Sequence, residues 1–174
     1  MREKDITYTI RRATEDDIPL IHSLAWRIFP ETYKAILSAG QTDYMMEQMY
    51  SPVSLHEQMT RGGHVYLLAY AGKRCTGYVS VRPAGQALFH LEKIYVLPET
   101  QGTGCGRFLF NSVIDYVRSV HAVPFSIELN VNRHNPAVGF YRHMGMTIDR
   151  RGDFPIGNGY YMNDYIMKLN VGSV

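Results

Sequence analysis

The sequence predicts an α/β fold: a mixed, mostly antiparallel central sheet with helices on both faces. Three observations carry this. Apolar residues recur at helical spacing before Gly63 and alternate after it. A strand-like run, Leu91–Val96, leads through a short Leu-Pro-Glu-Thr link into a glycine-rich turn that opens directly into an amphipathic helix. The chain closes on a hairpin pattern around Gly157-Asn-Gly159.

Each element has its own reason. Residues 7–12 alternate as a first strand, and Thr14-Glu-Asp-Asp17 reads as a capping-box-like helix start with Asp17 in the place of Glu. Ile18, Ile21, Leu24, Ala25 and Ile28 then trace one helical face, which Pro30 is expected to interrupt. A second helical stretch, residues 42–50, carries Met45, Met46 and Met49, and a further one begins near Ser54. Residues 65–70, 77–82 and 88–96 read as strands joined by turns at Ala71-Gly72-Lys73 and Pro83-Ala-Gly85, and links this short imply antiparallel neighbours. Beyond the glycine turn, Phe110, Val113, Ile114 and Val117 form the inner face of a long helix. Residues 125–131 are a strand, Asn135-Pro136 opens a helix that Gly145 ends, and residues 146–150 and 161–169 form the last hairpin. The expected order is β-αα-βββ-α-β-α-ββ, in a single domain over residues 1–174.

Composition narrows the function classes. With 45% apolar and 20% charged residues and no apolar run long enough for a bilayer, the chain reads as soluble and globular, with no membrane partner. Two cysteines, Cys75 and Cys105, are too few for a disulfide framework, and the N-terminus lacks the apolar core of a secretory signal; a cytoplasmic location is expected. A net charge of +2 and the lack of a basic run interleaved with aromatics argue against nucleic acid. The seven histidines show no metal-ligand spacing, so no metal is expected.

The turn Gln101-Gly-Thr-Gly-Cys-Gly-Arg107 is an anion cradle by composition. Glycines let consecutive backbone N–H groups face a ligand, and the helix start adds its positive dipole end. It is neither a dinucleotide fingerprint, since Arg107 occupies the third glycine position, nor an NTP-binding loop, since no Lys-Ser or Lys-Thr follows. The Q-x-x-G-x-G run after a strand ending in Tyr95-Val96 resembles the acetyl-CoA signature of the GNAT superfamily of N-acetyltransferases. Asn132 to Met146, with Phe140-Tyr141 and Gly145-Met146, resembles the second signature of that superfamily, Met146 standing where the pattern usually closes on Phe. The resemblance in element order spans essentially the whole chain.

The resemblance implies an acetyl-CoA-dependent N-acetyltransferase acting on a primary amine of a small molecule by direct attack in a ternary complex. It implies that Ile94, Tyr95, Val96, Gln101, Gly102, Thr103, Gly104, Cys105, Gly106, Arg107, Asn135 and Tyr141 meet the cofactor, with Tyr141 aimed at its sulfur. Arg133 and Arg142 are further candidates for the polyanionic tail, and Glu31 and Tyr33 for the acceptor side. The chemistry asks for these parts. A lysine-type amine with a pKa of about 10.4 is nucleophilic at pH 7 in only a few parts per ten thousand, so a base must take its proton, and the leaving thiolate needs a donor. A backbone N–H near Tyr95 or Val96 would polarise the carbonyl. Strand alternation puts Val96, Ile94, Glu92 and His90 on one face and Tyr95, Lys93 and Leu91 on the other, leaving Glu92 and His90 as alternative bases. Phe29 to Tyr33, Asp43 to Glu47 and Met162 to Lys168 are similar to bacterial spermidine/spermine-type members, for which Glu31, Asp43, Glu47 and Asp164 would supply acidic contacts to a polyamine. The alternative is a coenzyme A-binding sensor or regulatory module without turnover. A C-terminal edge strand would let two copies pair as a homodimer.

Overall fold

A computed structural model describes residues 5–172. Strand β1 (Tyr8–Arg12) leads through a 3-10 turn at Glu15–Asp17 into α1 (Ile18–Tyr33). The Thr14 N–H donates to Asp17 Oδ2 at 2.8 Å, so the shorter acid does the work of the usual Glu. Ile18, Ile21, Leu24, Ala25 and Ile28 are all buried, as one face.

Pro30 does not interrupt α1, against the sequence expectation. The helix runs one turn further, to Tyr33. An interior proline costs about 3 kcal/mol, but Phe29 and Tyr33 are buried beside it, each large side chain returning about 2–3 kcal/mol. Next come α2 (Ala39–Tyr50) and α3 (Pro52–Thr60). The stretch near Ser54 is thus a helix of its own, and three helices separate the first two strands. Ser51 divides them, its hydroxyl accepting from the Ser54 N–H at 3.2 Å with Pro52 following.

The remaining elements are β2 (Val65–Ala71), β3 (Arg74–Gly85), β4 (Leu88–Val96), α4 (Cys105–Val120), β5 (Phe125–Asn132), α5 (Ala137–His143), β6 (Thr147–Gly157) and β7 (Tyr160–Val171). The turn expected at Pro83–Gly85 lies later, because β3 continues through an irregularity to pair Gly85 with Leu88. The seven strands run in the order β1-β2-β3-β4-β5-β7-β6, and every pair is antiparallel except β4–β5. The C-terminal strand is therefore internal. The edge that a second copy would meet on that side is β6, not the chain end. One apolar cluster joins the sheet to α4 and α5, and another joins it to α1–α3.

Two features of the sheet position the site. First, β4 and β5 pair only where Leu88, Phe89 and His90 face Ser126, Ile127 and Glu128. Both strands continue well beyond that rung without pairing, so the sheet opens there as a V. Second, Ser80 faces Lys93 while Val81 faces Leu91, which leaves Glu92 as the extra residue of a bulge. The bulge resets the alternation. Phe89 and Leu91 below it and Ile94 and Val96 above it pack with the α4 cluster. His90, the cross-strand neighbour of Arg82, and Glu92, ion-paired with Arg82, lie on the α1–α3 side. The expectation that Val96, Ile94, Glu92 and His90 share one face is corrected: an inserted residue shifts the phase, and composition does not reveal it.

Candidate active site

The open V is the floor of a cavity of about 980 Å³ that passes from one face of the sheet to the other. On the α4–α5 side it is bounded by the glycine turn, the start of α4 and the α5 residues Phe140, Tyr141 and His143. On the α1–α3 side it is bounded by Glu31, Thr32 and Tyr33 from the last turn of α1, by Glu92 and by Asn130.

The glycine turn is built to receive an anion. Gly102 and Gly104 have φ of +76° and +86°, and nothing stands within 4 Å of where a Cβ would be on either. The first backbone bond of the following helix is Phe108 N–H to the Gly104 carbonyl at 3.0 Å. Among the described residues, the N–H groups from Gly102 to Arg107 have no backbone partner, and this run of free donors lies at the mouth of the cavity with the exposed Arg107 guanidinium. Those features fit the phosphates of a nucleotide-linked cofactor.

Gly77 fixes the other wall. A Cβ there would lie 2.6 Å from the Tyr95 carbonyl oxygen, so only glycine allows β3 to approach β4 this closely. Leu97 N–H donates to the Thr76 carbonyl at 2.8 Å. By antiparallel alternation the Tyr95 N–H also turns toward β3, and the Val96 N–H turns into the open V. Of the Tyr95 and Val96 N–H groups, only that of Val96 is directed into the cavity, where a ligand carbonyl could accept from it.

Ile94, Tyr95, Val96, Gln101, Gly102, Gly104, Gly106, Arg107, Asn135, Tyr141 and Glu92 all line the cavity. The side chains of three predicted residues stand outside the cavity lining, although the N–H groups of Thr103 and Cys105 belong to the cradle. Thr103 bonds through its hydroxyl to Tyr8 Oη and the Thr100 carbonyl. Cys105 is buried against Thr76, with Sγ 3.4 Å from Oγ1. His90 lies behind Glu92, Nε2 being 4.0 Å from Glu92 Oε1 and Nδ1 3.3 Å from Glu128 Oε1. Arg133 is committed to Asp153 at 2.8 Å and to the Gly152 carbonyl, and Arg142 is exposed away from the cavity wall.

Tyr141 comes from α5 on one face of the sheet and Tyr33 from α1 on the other. Burial holds the Tyr141 phenol well above its ordinary pKa, and the nearby Tyr33 adds to the rise. Tyr141 is therefore protonated throughout the neutral range and is a hydrogen-bond donor. Tyr33 Oη lies 3.2 Å from Tyr95 Oη, and burial raises both phenols. Asn135 Oδ1 accepts from the Ala137 N–H at 2.9 Å, tying the start of α5 to the cavity rim.

Sequence reasoning passed over Lys93 and Asn130. Lys93 is 4% exposed, donates to Gln58 Oε1 at 2.9 Å, to Tyr66 Oη at 2.6 Å and to the Met49 carbonyl at 3.2 Å, and sits over the Tyr50 ring. Burial pushes its ammonium down to about 7, slightly opposed by Glu92. A visible signal existed for Asn130. Ser126, Glu128, Asn130 and Asn132 give a central strand one wholly polar face, which is unusual under helices unless that face borders a cavity.

An opening with an anion cradle on one face of the sheet and the carboxylates of Glu31 and Glu92, ion-paired with Lys34 and Arg82, on the other has the form of a transferase site entered from two sides. The model of the GNAT acetyltransferase domain matches residues 33–153, so the chain belongs to the GNAT acetyltransferase family, whose members use acetyl-CoA. It is 26% identical over 152 residues to an uncharacterised N-acetyltransferase of Mycobacterium bovis, covering 87% of this chain and 96% of that one. Among solved structures it is similar to the PaiA N-acetyltransferase of Thermoplasma acidophilum in complex with coenzyme A, with a TM-score of 0.77 at 19% identity over 95% of this chain and 99% of that one. It is also similar to mutant forms of the spermidine/spermine N-acetyltransferase SpeG of Vibrio cholerae, with a TM-score of 0.66 at 22% identity over 94% and 93%. The chain is thus an N-acetyltransferase of GNAT fold, and among the described residues no helix is long and apolar enough to cross a membrane.

Proposed function

We propose that residues 1–174 form a single acetyltransferase domain that moves the acetyl group of acetyl-CoA to a primary amine of a small molecule, by direct attack within a ternary complex. The observation that carries this reading is the V between β4 and β5, which joins a cradle of N–H donors on one face to an opening lined by Glu31, Tyr33, Glu92 and Asn130 on the other. The phosphates would lie on the N–H groups of Gly102 to Arg107, and the thioester would meet the Val96 N–H. Tyr141 donates to the sulfur as the C–S bond breaks; Glu92, oriented by Arg82, takes the proton of the attacking nitrogen as the N–C bond forms.

Direct attack, rather than an acetylated enzyme, is favoured by the position of the thiols. Cys75 and Cys105 are both buried, neither lines the cavity, and burial raises both above the ordinary thiol range. Glu31, paired with Lys34, and Glu92, paired with Arg82, are the carboxylates on the acceptor side. A polyamine, whose second ammonium could exchange for Lys34 at the exposed Glu31, is the first acceptor to try.

The test is thiol release from acetyl-CoA against a panel of mono-, di- and polyamines, with calorimetry of acetyl-CoA on the same preparation. Release that saturates in at least one primary amine, with intersecting initial-rate lines, is the expected result. Tight acetyl-CoA binding without release on any amine would overturn it in favour of a coenzyme A-binding sensor.

A further inference from the structure

Asn130 is exposed in the middle of a central strand while Leu129 and Val131 beside it are buried. Its exposure is to the cavity. Its Nδ2 donates to Asp164 Oδ2 at 3.3 Å, across β5–β7. Asp164 is 3% exposed, and among the described residues its Oδ1 has no partner and this is its carboxylate's sole hydrogen bond. A buried carboxylate held by one amide is a costly arrangement that an apolar residue at 164 would avoid.

The arrangement has a chemical consequence. While Asp164 is ionised it offers only acceptors, so the amide nitrogen of Asn130 faces it. Burial raises the pKa of this carboxyl, opposed by the Asn130 bond and the nearby Arg133, and the orientation holds at pH above that raised value. The amide oxygen is turned away from Asp164, and no donor among the described residues reaches it. Glu92 on β4 and Asn130 on β5 lie beyond the last paired rung, His90–Glu128, on the two arms of the open V, and both line the cavity. A nitrogen bound between the two arms would have an acceptor available from each.

We propose that Asn130 accepts the second N–H of the reacting amine, that Asp164 is the positioning residue holding its amide in that orientation, and that the pair makes the site select primary over secondary amines. The inference rests on the acetyltransferase reading above. A primary amine carries one N–H for Glu92 and one for Asn130, whereas a secondary amine has a single N–H and leaves one acceptor unpaired. The second bond also fixes the lone pair toward the thioester carbonyl.

The experiment compares kcat/KM for 1,4-diaminobutane and N,N'-dimethyl-1,4-diaminobutane in the parent and three variants. Asn130→Ala should lower the primary-amine value about tenfold or more and bring the primary-to-secondary ratio close to that of solvent chemistry. Asp164→Asn should do the same, because the Asn130 amide is then free to present its NH2 to the cavity. The exchange variant Asn130→Asp/Asp164→Asn should restore the ratio to within about threefold, since an aspartate at 130 again offers only oxygen to the amine. A merely structural role for Asp164 would lower both rates together and leave the ratio unmoved. An unchanged ratio in Asn130→Ala, or an exchange variant that folds without restoring the ratio, overturns the inference while leaving the acetyltransferase reading intact. A parent that binds acetyl-CoA but acetylates neither these diamines nor any other amine overturns both.

Discussion

At Tyr141 the ring and the hydroxyl have separable jobs. The ring packs in the α4–α5 cluster, and the hydroxyl, its pKa raised by burial, stays protonated at the cavity. Tyr141→Phe keeps the packing and should reduce kcat about 10²- to 10³-fold with acetyl-CoA affinity nearly unchanged. Near-normal turnover under chemistry-limited conditions would rule out the donor role. Glu92 and His90, alternatives on sequence grounds, are unequal in space. Glu92 lines the cavity, and His90 touches it only through Glu92. Glu92→Gln should lower kcat/KM and flatten the acidic limb of the pH–rate profile, and His90→Ala should have the smaller effect. A limb that survives in both variants assigns it to the amine substrate's own ionisation.

Among the elements, the glycine turn and the bulged strand divide the work. The turn presents free N–H groups because Gly104 takes a φ of +86° just before α4 begins. Gly104→Val forces a β-branched side chain into that conformation and into the open space proposed for the phosphates. Acetyl-CoA affinity measured by calorimetry should fall at least about tenfold while the circular dichroism spectrum is retained. Binding as tight as the parent's would move the cradle elsewhere. In β4 the extra residue at Glu92 lets one strand send Ile94 and Val96 to one face and Glu92 to the other. In the proposed mechanism, that arrangement gives the acetyl group's wall and the amine's base to opposite sides of the same opening.

For the whole molecule, Lys93 makes stability depend on pH. Its ammonium, ordinarily near 10.5, is lowered to about 7 in the folded state. Between those values the unfolded chain binds the extra proton, so stability rises with pH across that window and is reduced below about 7, where the buried amine must be charged. The slope from this group is at most about 1.4 kcal/mol per pH unit. Above about pH 10 the buried tyrosines Tyr50, Tyr78 and Tyr95, whose phenols are raised, oppose it with the other sign. Urea denaturation at pH 7, 8 and 9 should therefore show rising stability in the parent and a flatter profile in Lys93→Met. Equal slopes in the two proteins would show that Lys93 keeps its ordinary ionisation when folded.

The sequence by itself determined the order of strands and helices after Gly63, the cofactor turn and the family resemblance, because each depends on residues that are neighbours in the chain. Glycines at alternate positions demand their turn wherever the fold puts them, and the 3.6-residue period of α4 shows its buried face. Only the tertiary structure decided what depends on pairing between distant segments. It carried α1 through Pro30, because burial of Phe29 and Tyr33 outweighs a local penalty. It placed the bulge at Glu92, since an extra residue exists only relative to the partner strand. It put the C-terminal strand inside the sheet and parted β4 from β5 beyond His90 and Glu128. And it brought Asn130 and Asp164, 34 residues apart, together beside the cavity. Local chemistry is written in local residues; a site assembled across a gap between strands comes into being only when the strands are set side by side.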